Sequence, residues 1–236
     1  MQIANAMIEN KVIILVLAGG NESYQELVKV VRSTWGSDLE GVTTLYVYGN
    51  PGNIDFKGQK VVQVGDVLYS NCGDGKMDLL EQTISSFEYV LSHFDFTHVF
   101  RCNCGSYVNT YNLLEFAKDK PQKQFYSGIE GNHNGIRFAS GSGFFLSRDL
   151  MQLLVEKKKL LHYEQLEDVE IGMFLATNRV EIYPARRQDI WSLQDTIDLS
   201  YYHYYCIRNS PDVSESMGCV RIPMLRAVSP QDGWNS

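Results

Sequence analysis

Glu167-Asp168 sets two adjacent carboxylates immediately before a helical stretch, Val169–Ala176. A carboxylate at that point is kept ionised by the helix dipole and could take a proton as general base; it could equally be a cap and nothing more. Arg101-Cys102-Asn103-Cys104-Gly105-Ser106 follows the apolar pair Val99-Phe100, so its polar groups project from a strand end into a crevice. The Cys-x-Cys could bind a soft metal, but no second Cys/His pair completes four ligands, which favours half-buried thiols. Gly141-Ser142-Gly143 precedes an aromatic strand, where backbone amides either line a pocket or mark a bulge. Ala18-Gly19-Gly20 ends an apolar run, and backbone without side chains there could approach a ligand closely. The Gly-x-Gly-x-x-Gly fingerprint is absent, and a tight strand-to-helix turn explains the segment as well. Arg32 flanks a helical stripe and could reach an anion, though an exposed helix arginine is the ordinary case. His203, amid tyrosines, reads as a stacked ring before it reads as a metal ligand.

The elements that must position these groups follow from hydrophobic periodicity. Val12–Ala18 is a continuous apolar run, hence a buried strand. Ser23-x-x-Glu26 reads as a capping box, and Tyr24, Leu27, Val28, Val31 and Trp35 share one helical stripe. Thr44–Tyr48 and Lys60–Val64 are predicted strands between glycine turns. Met77, Leu80, Ile84, Phe87 and Leu91 repeat at helical spacing. His98–Cys102 is the next strand, Thr110–Ala117 a helix and Gly143–Leu146 a strand. Ser147 caps a helix carrying Leu150, Met151 and Leu154, with a solvated Lys157-Lys158-Lys159 run behind it. Val169–Ala176 is a further helix and Arg179–Tyr183 a further strand. Alternating strands and helices predict one α/β domain over residues 1–236, its central sheet mostly parallel. The aromatic stretch from about residue 190 is expected to fold back over that domain.

Composition narrows the function classes. The formal net charge of −7 argues against nucleic acid or an anionic membrane as the main partner. An anionic ligand must then be held by local donors. The apolar run at Val12–Ala18 is far short of a membrane span, and Met1–Lys11 lacks the basic start of a signal peptide. Five cysteines, an odd number without framework spacing, fit a reducing compartment, so the expected location is cytoplasmic or otherwise soluble and intracellular.

Four segments in order carry a resemblance: Val31-Arg32-Ser33-Thr34-Trp35, Phe100–Asn109, Ala139-Ser140-Gly141-Ser142-Gly143-Phe144-Phe145-Leu146-Ser147-Arg148-Asp149 and Leu166-Glu167-Asp168-Val169-Glu170-Ile171-Gly172. Together they resemble the beta-1,3-galactosyltransferase and Fringe-like family, over about residues 12–210. The resemblance implies a GT-A fold with helices on both faces of the sheet, a UDP-sugar donor, galactose first, a glycan acceptor, and inversion at the anomeric carbon. It implies Asp168 as the base that takes the acceptor proton, and Arg32 near the nucleotide. Gly141 and Gly143 would lie against donor sugar or acceptor, with Ala18, Gly19, Arg101 and Asn103 also on the donor side.

The family has an Asp-rich metal motif just before an aromatic-Val-Asn tripeptide. Aligning Tyr107-Val108-Asn109 with it puts Asn103, Cys104 and Gly105 where the acids stand. The expectation is therefore either metal-independent transfer or Mn²⁺ bound chiefly through the diphosphate, with His203 as its protein ligand. Arg101, Arg208 or Arg186-Arg187 would then meet the charge of the leaving group. The alternative is a catalytically silent module of the same fold that binds a sugar or sugar nucleotide. A generic α/β nucleotide-binding enzyme, such as a methyltransferase, would explain Ala18-Gly19-Gly20 but not the later segments.

Overall fold

Val12–Leu17 forms β1, buried at every position, and a strand apolar on both faces must be covered on both. The computed structural model, which describes residues 11–20, 22–36, 39–185, 188–190 and 206–209, meets that demand. The next elements are α1 (Glu22–Ser33), β2 (Val42–Tyr48), β3 (Val61–Val64), β4 (Val67–Ser70) and α2 (Leu79–His93). β5 (His98–Asn103), β6 (Ser106–Val108), α3 (Thr110–Lys118), β7 (Tyr126–His133) and β8 (Ile136–Ser147) follow. The described chain ends with α4 (Arg148–Glu156), α5 (Glu167–Thr177), β9 (Ile182–Pro184), β10 (Gln188–Ile190) and β11 (Cys206–Asn209).

The main sheet has the order β3-β4-β2-β1-β5-β8-β7-β9. Its centre, β4-β2-β1-β5, is parallel, whereas β3–β4, β5–β8 and β8–β7 pair antiparallel. β10, β11 and β6 make a small second sheet, so residues 206–209 pair with the segment just after β5.

Alternate residues of β1 feed two cores. Val12, Ile14 and Val16 pack with Leu27, Val28, Val31 and Trp35 of the α1 region and with Leu113 and Phe116 of α3. Ile13, Leu15 and Leu17 pack with Leu80, Ile84 and Phe87 of α2, Leu150 and Leu154 of α4, and Ile171 and Leu175 of α5. Each such side chain, fully buried, contributes about 1.5–3 kcal/mol. Helices therefore cover both faces, as expected for this fold class. Among the described residues no helix is long and apolar enough to cross a membrane.

Several local expectations are corrected. α1 begins at Glu22, so Ser23 lies in its first turn instead of capping it; the Ser23 side chain is outside the described residues. Ser147 precedes α4, but its hydroxyl makes no cap bond: it accepts from Phe125 N–H at 3.0 Å and donates to Asp149 at 2.5 Å. Met77 is exposed in a 3-10 turn before α2 and takes no part in the buried stripe. The strand expected at Arg179–Tyr183 is shorter, because Arg179 has φ 61° and closes the end of α5. Lys158, in the supposedly solvated run, reaches back to Glu88 at 2.6 Å. Cys102 and Cys104 are buried in the core instead of half-buried.

Candidate functional site

β5 ends at Asn103, and β8 runs beside it antiparallel with Arg101 opposite Phe144 and Cys102 opposite Gly143. α5 lies directly on β8. A Cβ at Gly172 would stand 2.3 Å from Phe138 Cβ and 2.7 Å from its Cα, so only glycine permits this approach. That contact carries the first turn of α5, with Glu167 and Asp168, to the carboxyl end of β5. Ligands of α/β sheets bind at such strand ends.

The result is a cavity of about 600 Å³ whose lining includes Lys76, Arg101, Asn103, Gly141, Glu167 and Asp168. Asp168 is half-buried; its Oδ2 accepts from Gly141 N–H at 2.8 Å and its Oδ1 from Val169 N–H at 3.0 Å. A carboxylate oriented by backbone donors and open to a cavity can accept a proton from a bound hydroxyl.

Behind it, Arg101 is 1% and Glu167 4% exposed. Arg101 Nη2 donates to Glu167 Oε2, while Nη1 donates to the Gly141 carbonyl and, at 2.9 Å, to Asn103 Oδ1. Glu167 Oε1 accepts from the Thr83 hydroxyl of α2 at 2.6 Å. Burial pushes the Glu167 carboxyl up to about 7, against the pull of Arg101 and of Thr83. Arg101 thus lines the crevice at this strand end, but buried and paired with Glu167. It is the floor of the site.

Other expected residues lie elsewhere. Gly143 is buried inside β8 and does not line the cavity. Ala18 and Gly19 sit at the end of β1, where Ala18 N–H donates to Val47 O at 2.9 Å and Gly19 packs under the Tyr24 ring. Asp74 joins this end to β2, accepting from Gly20 N–H and, at 3.0 Å, from Gly49 N–H. Arg32 stacks on Tyr46 at 4.4 Å and donates twice to Asp66, at 3.1 and 2.7 Å, outside the cavity. His203, Arg186 and Arg187 lie outside the described residues, as does the Arg208 side chain.

Among the described residues, the cavity offers a hard divalent cation only Asp168 as an uncommitted carboxylate. Asn103 offers one amide oxygen, already taken by Arg101, and Cys104 is buried away from it. Glu167 is spent on Arg101 and Thr83, and Glu130 at the rim on Arg137. Among the described residues no group of three His, Cys, Asp or Glu side chains is placed to hold a metal, and such ions want several charged or water oxygens.

Residue-level reading missed Glu167 as the partner of Arg101, and missed Thr83 and Lys76. A signal for Thr83 existed, since a hydroxyl beside Leu80, Ile84 and Phe87 is a polar group on a buried stripe.

No model of a protein family matches the chain, and no curated protein does. Among solved structures, the mannosyltransferase PcManGT from Pyrobaculum calidifontis, in complex with GDP-Man and Mn²⁺, is similar at TM-score 0.50 and 10% identity, over 87% of this chain and 59% of that one. The chain thus spans less than two thirds of that protein. The fold is of the GT-A type. The galactosyltransferase LgtC, in complex with donor and acceptor sugar analogs, aligns over 94% of this chain and 98% of its own at 7% identity and TM-score 0.45. GlyE of Streptococcus pneumoniae TIGR4 aligns over 74% and 45% at 11% identity and TM-score 0.43. At 10% identity the likeness to PcManGT speaks for the fold alone.

Proposed function

We propose that the chain is an inverting glycosyltransferase that moves a hexose, galactose first, from a UDP-sugar to a hydroxyl of a glycan acceptor. The observation that carries this reading is Asp168, a half-buried carboxylate aimed by Gly141 N–H into a cavity at the end of β5. Asp168 takes the proton of the acceptor hydroxyl as that oxygen attacks the anomeric carbon. The bond to the diphosphate breaks, UDP leaves with the electron pair, and an α-linked donor gives a β-linked product. The end of β1, with Ala18 and Gly19, and Arg32 of α1 are assigned to the nucleotide half of the donor, and Gly141 with Asn103 to the sugar. Because Arg101 is committed to Glu167, the cavity cation left to meet the departing charge is Lys76, which has no ion pair among the described residues. A preorganised cation at developing negative charge stabilises the transition state.

That only one carboxylate among the described residues of the cavity is uncommitted favours a second reading, a silent module that binds a sugar nucleotide without transfer. Incubation with UDP-galactose, UDP-glucose, UDP-N-acetylglucosamine, UDP-xylose and GDP-mannose, in EDTA or Mn²⁺, separates the two. Release of nucleoside diphosphate, fastest from UDP-galactose, supports transfer. Binding without release supports the silent module. No binding of any donor would overturn both.

A further inference from the structure

Arg101 and Glu167 form an ion pair at the floor of the cavity, 66 residues apart in sequence and both almost completely buried. Its plain reading is structural, yet a buried ion pair is a weak source of stability, since desolvation offsets most of the attraction. Arg101 Nε is also buried without a hydrogen-bond partner, a further cost. What the pair does beyond stability shows in its connections.

Gly141 is held from both of its backbone polar groups. Its carbonyl accepts from Arg101 Nη1, and its N–H donates to Asp168 Oδ2 at 2.8 Å. A Cβ at this position would stand 3.1 Å from Arg101 Nη1 and 3.2 Å from Asp168 Oδ2, so the glycine is the spacer between the two charged groups. Glu167 adjoins Asp168 in the first turn of α5, and it is gripped from β5 by Arg101 and from α2 by Thr83. One guanidinium thereby fixes both things that aim Asp168: the rotation of its helix turn and the amide that holds its carboxylate.

We propose that the Arg101–Glu167 pair is the positioning device of the base, acting on Asp168 through Gly141 and the first turn of α5. This deepens the glycosyl-transfer reading and rests on it. Arg101 and Glu167 touch no substrate in this scheme; they are positioning residues. The charged groups facing Glu167 are Arg101 from β5 and Asp168 from its own helix, with the neutral Thr83 from α2.

Two substitutions leave the site charge unchanged and so report geometry. Arg101→Lys removes the planar fork that reaches Glu167 and the Gly141 carbonyl together. Thr83→Val removes only the hydroxyl on Glu167. The first measurement is the amide NMR signal of Gly141, which needs no turnover. Its proton should move upfield in Arg101→Lys relative to the wild type, because the N–H loses the grip that holds it on Asp168. The second is kinetic: kcat should fall about 10- to 100-fold with the donor KM within about twofold, since misplacement of a base costs rate and leaves binding intact. Thr83→Val should move both in the same direction by less. A natively folded Arg101→Lys protein with an unchanged Gly141 amide signal and kcat would overturn the proposal. Should that variant not fold, Thr83→Val with an unmoved Gly141 amide signal would overturn it. If the wild type turns over no donor, the transfer reading fails, while the amide signal still decides whether the pair positions Asp168.

Discussion

Gly172→Ala sets two local effects against each other, and their magnitudes decide the outcome. In a helix interior the change from glycine to alanine stabilises by about 1 kcal/mol through propensity alone. Here the added carbon would sit 2.3 Å from Phe138 Cβ, 2.7 Å from Phe138 Cα and 3.0 Å from Arg137 O. Carbon pairs rest at about 3.5–4.0 Å, so α5 and β8 must part by about 1–1.5 Å. The obstructing atoms are backbone and Cβ, which no rotamer change can move. Overpacking of this kind costs about 1–3 kcal/mol, and the contact lies at the severe end. The net expectation is a loss of about 2 kcal/mol, which for a chain of this size lowers Tm by about 4–8 °C. The same displacement pulls Asp168 away from Gly141 N–H, now 2.8 Å distant, and a misplacement near 1 Å costs about 10²-fold in rate. Thermal melts followed by circular dichroism, with turnover on the best donor, check both. A variant that melts at or above the wild type would mean propensity wins, and that α5 is not seated on β8 by this contact.

Asp168→Asn keeps an oxygen for Gly141 N–H but cannot accept a proton, so turnover should fall by about 10²–10⁴ while nucleotide binding hardly changes; near-normal turnover would reduce Asp168 to a cap. Burial raises Glu167 from its ordinary 4.5 to about 7, so the folded protein binds that proton more tightly than the unfolded chain. The stability it contributes is complete below about pH 4.5 and is lost as pH rises through about 7, by about 1–3 kcal/mol; urea melts across this range should show the decline, and Glu167→Gln should flatten it. Asp74→Ala frees Gly20 N–H and Gly49 N–H at the ends of β1 and β2, and the expected result is a several-fold rise in donor KM with kcat little changed.

β1 was legible because Val12–Leu17 is an unbroken apolar run, whereas β5, half polar in composition, was read from Val99-Phe100 at its centre. β4 and β7 were not read, since Tyr126-Ser-Gly-Ile-Glu-Gly-Asn-His133 is half polar and its strand state comes from pairing with β8. Both nevertheless had a readable signal in their turns. Asn134-Gly135, with φ 52° and 84°, closes a two-residue hairpin between β7 and β8. Gly65-Asp66 does the same between β3 and β4, with Gly65 at φ 62° and Val64 paired to Val67. Periodicity found the helices, and the glycine turn after Lys60–Val64 was read without the strand that it leads into.

At the site, Asp168 was visible because a helix N-terminus is a local feature, whereas the Arg101–Glu167 pair is a tertiary fact that no window of sequence contains. An arginine after two apolar residues reads as a strand end opening into a crevice; in the fold β8 and α5 close over it, and burial obliges it to find a carboxylate. That obligation also gives position 103 its physical sense. Arg101 serves Glu167, the Gly141 carbonyl and the neutral Asn103 oxygen, leaving one guanidinium to balance the two carboxylates Glu167 and Asp168. A third carboxylate at 103 would compete with Glu167 for the same fork and would repel Asp168 across the cavity, unless a bound cation neutralised it. The amide removes that need. Asn103 and the Arg101–Glu167 floor are therefore one arrangement: the strand end carries no extra negative charge, and Arg101 is left to hold Glu167 and the Gly141 carbonyl, the two neighbours of Asp168.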